Sequence, residues 1–209
     1  KKVPLPPIPT EIGPAAGEVR RESERFPVSQ SKLSLGFRTG ITGDMADFPA
    51  LVLANAVYGS GVTSKLFVNV REKLSLCYYC ASRIEKLKGV MVVSSGIETK
   101  HYQAAKDEIL LQLDKTKKGE ITGEEIDAAK LALTNAYRQI TDTPAALEDW
   151  YLGELLCGKM RSPEEFIQSV QAVDREGIVR VAEKIDLDLI YFLTELEAGK
   201  GENEDGKNH

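Results

Sequence analysis

The sequence predicts an α+β domain in which helices pack on one face of a mostly antiparallel sheet. A period-two alternation of apolar residues over 30–39 predicts a strand, and two β-rich segments, 77–87 and 90–97, predict a hairpin. Helix patterns fill most of 100–184, and the apolar segment 187–196 predicts a last strand. Strands that flank a run of helices favour a layered α+β fold, because each element must bury one apolar face.

The chain is predicted to divide into three parts. Residues 1–29 form a linker and lead-in, because five of the nine prolines lie in the first 14 residues, which show neither a helical nor an alternating pattern. Within it, the charged segment 16–28 is compatible with either a strand or an irregular lead-in. The domain covers 30–197, and the polar tail 198–209 is expected to be disordered. Since the chain begins with Lys rather than Met, we expect it to be part of a longer protein.

The first strand and the first helix are predicted from their apolar patterns. Leu33, Leu35 and Phe37 alternate with polar or small residues, so one face of that strand is expected to be buried. The segment 46–58 is rich in apolar residues and carries Pro49 near its start, where the missing N–H breaks no helical hydrogen bond. A buried helix is therefore expected there.

Glycines and hydroxyl residues mark the next boundaries. Gly59 and Gly61 are predicted to end the first helix, and Thr63 or Ser64 to cap a second, short helix with one apolar face. The pair Lys88-Gly89 is the predicted turn of the hairpin.

The second half of the chain is predicted to be mainly helical. Apolar residues recur at helical spacing in five segments, and Thr122 with Glu125 forms a capping-box pattern, in which the two residues satisfy each other's free N–H groups. Ser162 with Glu165 predicts another N-terminus, and Asp174 a third. The predicted helices cover 100–117, 122–141, 144–157, 162–170 and 175–184.

Composition and charge argue against several classes of function. The formal net charge is −5 and no run of Lys and Arg could follow a phosphate backbone, so no nucleic acid partner is expected. No stretch of about 18 apolar residues occurs, so no membrane span is expected. The two histidines are His101 and the C-terminal His209. Because a catalytic zinc usually takes three protein ligands, a metal site held by this chain alone is not expected.

Three cysteines, Cys77, Cys80 and Cys157, lie in apolar surroundings and are expected to be buried structural thiols. Their odd number and the lack of a secretory signal favour a reducing compartment, so we expect a cytoplasmic location. Cys77 and Cys80 have C-x-x-C spacing, but residues three apart in a strand point to opposite faces. Neither a shared metal ion nor a redox pair is expected there.

The segment from Gly59 to Tyr78 carries the most specific pattern of the chain. It resembles the second half-domain of the M16 metallopeptidases (pitrilysin, insulinase and mitochondrial processing peptidase), whose non-zinc domains carry G-x-x-S-[RK]-L-F-x-x-[LV]-R-x-x-x-x-L-x-Y. The resemblance extends from about residue 30 to residue 196 and includes the helical segment 119–130. The matching residues are Gly61, Ser64, Lys65, Leu66, Phe67, Arg71, Leu76 and Tyr78.

The resemblance implies catalytic roles for Arg71 and Tyr78. In the family this pair reaches a peptide that lies on the zinc of another domain, where the arginine would bind a substrate carbonyl and the tyrosine would donate its hydroxyl to the oxyanion. Such groups stabilise the transition state more than the ground state. Which of Tyr78 and Tyr79 faces the chamber stays open, since adjacent strand residues face opposite ways. The residues expected to contact substrate are Gly59, Gly61, Ser64 and Tyr79.

The resemblance also implies that zinc belongs to a partner. The family's zinc domain carries H-x-x-E-H, which this sequence lacks, so the chain alone is expected to be inactive. Its expected partners are a zinc-bearing M16 domain or subunit, in the latter case as a heterodimer, and a peptide substrate. The alternative is a catalytically silent subunit that keeps the fold for structural or peptide-holding purposes, with Arg71 and Tyr78 used only for packing.

Overall fold

A five-stranded sheet forms the base of the fold in this computed structural model, which describes residues 17–196. Neighbouring strands are antiparallel except β1 and β5, which run parallel, so the predicted mostly antiparallel sheet is confirmed. The spatial order is β1-β5-β2-β4-β3. The strands are β1 (Arg20–Phe26), β2 (Ser31–Arg38), β3 (Cys77–Glu85), β4 (Val90–Ile97) and β5 (Asp186–Glu195).

Helices pack against one face of this sheet, as predicted. Leu33, Leu35 and Phe37 of β2 are fully buried beneath them, and α1 is buried along its whole length. Helix α1 contacts four other helices and β3, so it forms the centre of the core. The helices are α1 (Phe48–Tyr58), α2 (Tyr102–Lys117), α3 (Gly123–Gln139), α4 (Pro144–Leu156), α5 (Pro163–Gln171) and α6 (Arg175–Ala182).

The local signals at the helix starts have the predicted structural effect. Thr122 and Ser162 each accept a hydrogen bond from the backbone of a glutamate three residues on, and both capping boxes are complete. Asp174 caps α6 through Gly177 N–H. The predicted helix over 100–117 begins with a short 3₁₀ turn, Thr99–His101. Among residues 17–196, no helix is both long and apolar enough to cross a bilayer.

The segment left open between strand and lead-in is a strand. β1 runs parallel to β5, with Arg20 opposite Leu189 and Phe26 opposite Glu195. Every residue of β1 is exposed, so the strand has no alternating pattern that the sequence could reveal. The sheet therefore begins before residue 30, where the domain was predicted to start. The predicted linker over the first 14 residues and the predicted tail over 198–209 lie outside the described residues.

Candidate functional site

A π-helix, Leu66–Lys73, carries Arg71 in place of the short helix that was predicted. Its turns are wide: Leu74 N–H donates to Asn69 O at 3.2 Å, five residues back. Leu66 and Val70 are fully buried and hold the inner side of this helix against the core. Arg71 lies in the last turn with its side chain partly exposed. π-Helical turns are rare and occur often at functional sites.

The side chain of Arg71 is held at the surface by two neighbours. Its guanidinium carbon lies 4.6 Å from the centre of the Phe67 ring, and its Nε lies 3.6 Å from Glu72 Oε1. Ser75, which connects the π-helix to β3, has φ 50°, a left-handed conformation that few residues other than glycine adopt. This strained turn directs the chain from Arg71 back into the sheet.

Tyr78 lies in a bulge at the start of β3. Cys77 pairs with Ile97 and Tyr79 pairs with Gly96, which leaves Tyr78 as the extra residue of the ladder. A bulge turns the side chain away from regular alternation. Tyr78 is accordingly 60% exposed as a whole residue.

Arg71 and Tyr78 line the same open surface pocket, which has a volume of about 410 Å³. The pocket carries mixed charge, since two glutamates and a histidine share it with the arginine. A hydrogen bond from the Lys100 ammonium lowers the pKa of one of these, Glu98, which keeps that carboxylate charged. The lining residues are Arg71, Glu72, Ser75, Leu76, Cys77, Tyr78, Glu98 and His101.

Of the two adjacent tyrosines, Tyr78 lines this pocket and Tyr79 does not. The ring of Tyr79 instead lies over Gly96 on the neighbouring strand. A Cβ at Gly96 would lie only 2.6 Å from Tyr79 Cε1. The missing side chain at Gly96 therefore provides the space for the Tyr79 ring. Tyr78 also lines a second, smaller pocket, together with Ser31 and Thr99.

Gly59, Gly61 and Ser64 lie outside the pocket lining and have structural contacts. A Cβ on Gly59 would lie 2.5 Å from Ser82 Oγ, and Gly59 O accepts a hydrogen bond from Ser82 N–H. Gly61 has φ 124°, which favours glycine. Ser64 is buried and donates its hydroxyl to Gly61 O at 2.7 Å. Their role in substrate binding stays a prediction.

Lys65, a motif residue without a predicted role, joins the π-helix to α3. Its side chain is 7% exposed, and Nζ donates to Glu125 Oε1 at 2.9 Å and to Glu120 O at 2.7 Å. Glu125 is also the capping-box residue that accepts from Thr122 N–H. Spacing along the chain could not reveal this contact, since the partners lie far apart in sequence.

The expectation that Cys77 and Cys80 point to opposite faces is wrong. The bulge at Tyr78 adds a residue between them, so Cys77 lies opposite Ile97 and Cys80 opposite Ser95, which places both on one face of β3. Interaction with the Cys80 thiol lowers the pKa of Cys77 to about 7, against the opposing effect of burial, with smaller contributions from Ser95 and Arg71. Interaction with Cys77 and burial raise the pKa of Cys80. The C-x-x-C spacing was the available signal, but the bulge that brings the thiols together is a tertiary feature.

Metal ligands do not converge in the described part of the chain. No group of three or more His, Cys, Asp or Glu side chains between residues 17 and 196 has the arrangement of a metal site. The pocket therefore offers a cation, a phenol and carboxylates, which can bind and polarise a peptide group but include no zinc site.

Comparison with known proteins gives the family. The family model described as the peptidase M16 inactive domain matches residues 1–133. A protein of Bacillus subtilis (strain 168) named "Probable inactive metalloprotease YmfF" is 40% identical over 167 residues, covering 79% of this chain and 39% of that protein. Another from the same organism, "Uncharacterized zinc protease YmxG", is 26% identical over 159 residues, covering 75% and 39%. The chain thus spans about two fifths of the length of these curated relatives.

Solved structures share the fold. A conserved protein from Enterococcus faecalis V583 superposes with a TM-score of 0.82 at 35% identity, covering 88% of this chain and 44% of that one. A protease from Helicobacter pylori superposes with a TM-score of 0.77 at 22% identity, covering 93% and 47%. The resemblance drawn from the residues between Gly59 and Tyr78 is confirmed. The chain belongs to the peptidase M16 family, in which it corresponds to the inactive, C-terminal domain.

Proposed function

We propose that this chain is the non-zinc half of an M16 peptidase, which closes a chamber over a peptide substrate and supplies Arg71 and Tyr78 to a zinc site held by another domain or subunit. The observation that supports this proposal is the shared pocket, in which an arginine and an exposed tyrosine come together from two different elements. The chain covers 39% of one relative and 44% of one similar structure, which agrees with a zinc-bearing half that lies in another domain or subunit.

The proposed chemistry divides the work between two sites. Zinc in the partner would polarise the scissile carbonyl and activate a water molecule. From this chain, the Arg71 guanidinium binds a peptide carbonyl and orients the chain, while the Tyr78 hydroxyl donates a hydrogen bond to the oxygen on which negative charge develops. Both groups are preorganised, Arg71 by the Phe67 ring and Tyr78 by the bulge, so little reorganisation is needed during reaction.

Further parts of the proposal concern binding and location. Gly59, Gly61, Ser64 and Tyr79 are proposed to contact the substrate, and a zinc-bearing subunit to pair with this chain as a heterodimer where the zinc is not in the same chain. The three free thiols support a reducing, cytoplasmic compartment.

Peptide turnover by the complete protein with its zinc-bearing half tests the catalytic assignment. Tyr78→Phe removes only the hydroxyl and is expected to lower kcat by about 10²–10³-fold, as for other oxyanion donors. Arg71→Ala is expected to lower kcat/KM by a factor of about 10 or more. The matched controls, Tyr191→Phe and Arg83→Ala, alter the hydroxyl of a half-buried tyrosine and an exposed cation, both away from the pocket, and should retain activity. If Tyr78→Phe and Arg71→Ala both retain the kcat/KM of the wild type, the assignment is wrong.

A second candidate function is a catalytically silent subunit that holds peptides. It is favoured by the 40% identical relative from Bacillus subtilis, whose name is "Probable inactive metalloprotease YmfF". A search for H-x-x-E-H in the remainder of the protein and in its partner separates the two candidates. If neither carries the motif, and peptide binds without turnover and with equal affinity to wild type and Tyr78→Phe, the silent function is the correct one.

A further inference from the structure

The thiols of Cys77 and Cys80 form a pair that the proposed peptidase chemistry does not use. Cys77 lines the pocket beside Arg71, whereas Cys80 is buried behind it. Cys77 pairs with Ile97 and Cys80 with Ser95, which are two residues apart on β4, so the bulge places both thiols on the same face of β3. The pair is therefore positioned by the strand register, with one cysteine lining the pocket.

The two thiols differ in reactivity. The pKa of Cys77 is lowered to about 7, so a substantial fraction is thiolate at neutral pH, and the thiolate is the nucleophilic form. The pKa of Cys80 is raised, chiefly by its interaction with Cys77 and by burial, so it remains a thiol. An accessible thiolate beside a second, protected cysteine is the arrangement of an attacking and a resolving thiol.

We propose that Cys77 and Cys80 form a redox-active dithiol that reduces hydrogen peroxide or a small organic hydroperoxide. The Cys77 sulfur attacks one peroxide oxygen, the O–O bond breaks, and the hydroxide or alkoxide that leaves takes up a proton. Cys77 is then a sulfenic acid. The Cys80 sulfur attacks the Cys77 sulfur, loses its proton, and expels the sulfenic oxygen as water. Two electrons pass from the dithiol to the peroxide, and one disulfide forms.

Formation of this disulfide changes the candidate site, a consequence that rests on the proposed function. Because Tyr78 is the extra residue of the bulge, Cys77 and Cys80 lie two ladder positions apart, opposite Ile97 and Ser95, which corresponds to about 6–7 Å between their Cα atoms. A disulfide most often has about 5.5–6 Å between the Cα atoms and about 3.8 Å between the Cβ atoms, closer than side chains at such positions of a regular strand. Bridging the two cysteines therefore shortens the start of β3, and Tyr78, which lies between them in the bulge, is displaced. Oxidation would then lower peptide turnover until a reductant restores both thiols.

Peptide mass spectrometry of the intact protein tests the chemistry. After brief treatment with hydrogen peroxide and alkylation of free thiols, we expect a Cys77–Cys80 disulfide that dithiothreitol reverses, and loss of the Cys77 thiol about tenfold or more faster than that of Cys157. In Cys80→Ser the sulfenic acid of Cys77 should persist and react with dimedone. In Cys77→Ser neither product should form, whereas Cys157→Ser, the matched control, should behave as the wild type.

Three results would overturn the proposal: Cys77 stays alkylatable after peroxide treatment, Cys77 is oxidised directly to sulfinic acid in the wild type, or Cys157 reacts as fast as Cys77.

Peptide turnover measured on the same samples tests the consequence for Tyr78 separately. A reversible loss of turnover in the wild type that is absent from Cys77→Ser supports it. A disulfide that leaves turnover unchanged overturns that consequence. Failure of the Tyr78 assignment itself leaves the mass readout unaffected, so the two failures are distinguishable.

Discussion

At the scale of single residues, Gly59 shows how tightly the end of α1 packs against β3. A Cβ at this position would lie 2.5 Å from Ser82 Oγ and 2.6 Å from Leu66 Cδ1, both in the buried interior. Ser82 is itself held by its hydrogen bond to Asn55 Oδ1 at 2.6 Å. The glycine thus sets the distance between the helix and the strand that begins at the pocket.

Gly59→Ala is expected to destabilise the fold by about 1–3 kcal/mol, because overpacking displaces groups that have no free space to move. Urea unfolding followed by circular dichroism measures the change. Gly123→Ala is the matched control, since no atom lies within 4 Å of a Cβ there and the residue begins α3. Equal stability of Gly59→Ala and wild type would contradict the packing argument.

The Cys77 thiol gives a prediction for pH dependence. Because its pKa is lowered to about 7, the thiolate fraction and the rate of alkylation by iodoacetamide should rise as pH increases through about 7. Arg71 favours the thiolate, and the other titratable residues of the pocket are Glu72, Tyr78, Glu98 and His101.

The midpoint of the alkylation rate, measured by mass spectrometry across pH, checks this prediction. Cys80→Ala removes the largest cause of the shift and should move the midpoint upward. Cys157, whose pKa burial raises, should react only at higher pH and serves as the internal control. A Cys77 midpoint near the ordinary thiol value of about 8.5 would rule out the stabilised thiolate.

At the scale of elements, the π-helix depends on a contact with the start of α3. The Lys65 ammonium bonds the Glu125 carboxylate, which also completes the capping box at Thr122. Arg71 lies six residues after Lys65 on the π-helix. Its position therefore depends on the N-terminal end of α3, which is distant in sequence.

Lys65→Met keeps the length of the side chain and removes the ion pair. Glu120 O then loses the Lys65 donor, and the Glu125 carboxylate keeps only its hydrogen bond from Thr122 N–H. We expect a loss of about 1–3 kcal/mol of unfolding free energy, since unmade hydrogen bonds to charged groups are costly. Denaturant unfolding measures this loss. Lys118→Met, at an exposed ion pair with Asp114, should show a much smaller change. If Lys65→Met and Lys118→Met lose the same unfolding free energy, the buried ion pair contributes no more to stability than the exposed one, and the prediction is wrong.

At the scale of the whole molecule, α4 is joined to the rest of the fold by a buried charge. Glu154 is 1% exposed, and its carboxylate accepts from Arg161 Nε at 2.7 Å and from a second guanidinium nitrogen at 3.1 Å. Arg161 also donates to Gly43 O in the loop after β2, and Lys86 Nζ lies 3.9 Å from the carboxylate. These contacts connect α4 with the loop that follows β2 and with the residue that follows β3.

Arg161→Met is expected to cost about 2–4 kcal/mol, because Glu154 would be left buried with only a distant cation. The double variant with Glu154→Gln should recover part of the loss, since it removes the unpaired charge. Thermal and urea unfolding of both proteins measure the two effects. Arg138→Met, at an exposed pair with Glu164, is the control and should change stability little. Absence of any recovery in the double variant would contradict the role assigned to the buried charge.

Much of the fold was predictable because its signals are local. The alternation of β2, the proline at the start of α1 and the capping boxes at Thr122 and Ser162 each act within a few residues, and the structure contains all of them. For β1 the sequence left a strand and an irregular lead-in equally open. Its residues are all exposed and show no periodicity, and its pairing partner, β5, lies at the other end of the domain.

The sequence by itself determined the α+β layout, most helix boundaries and the family, because periodicity, caps and a spaced motif are properties of neighbouring residues. Only the tertiary structure decided the shape of the candidate site. Hydrogen bonds between β3 and β4 set the bulge that turns Tyr78 into the pocket and brings Cys77 to Cys80. Strand pairing fixes which residue is the extra one, and that depends on a partner strand that no pattern within β3 can specify.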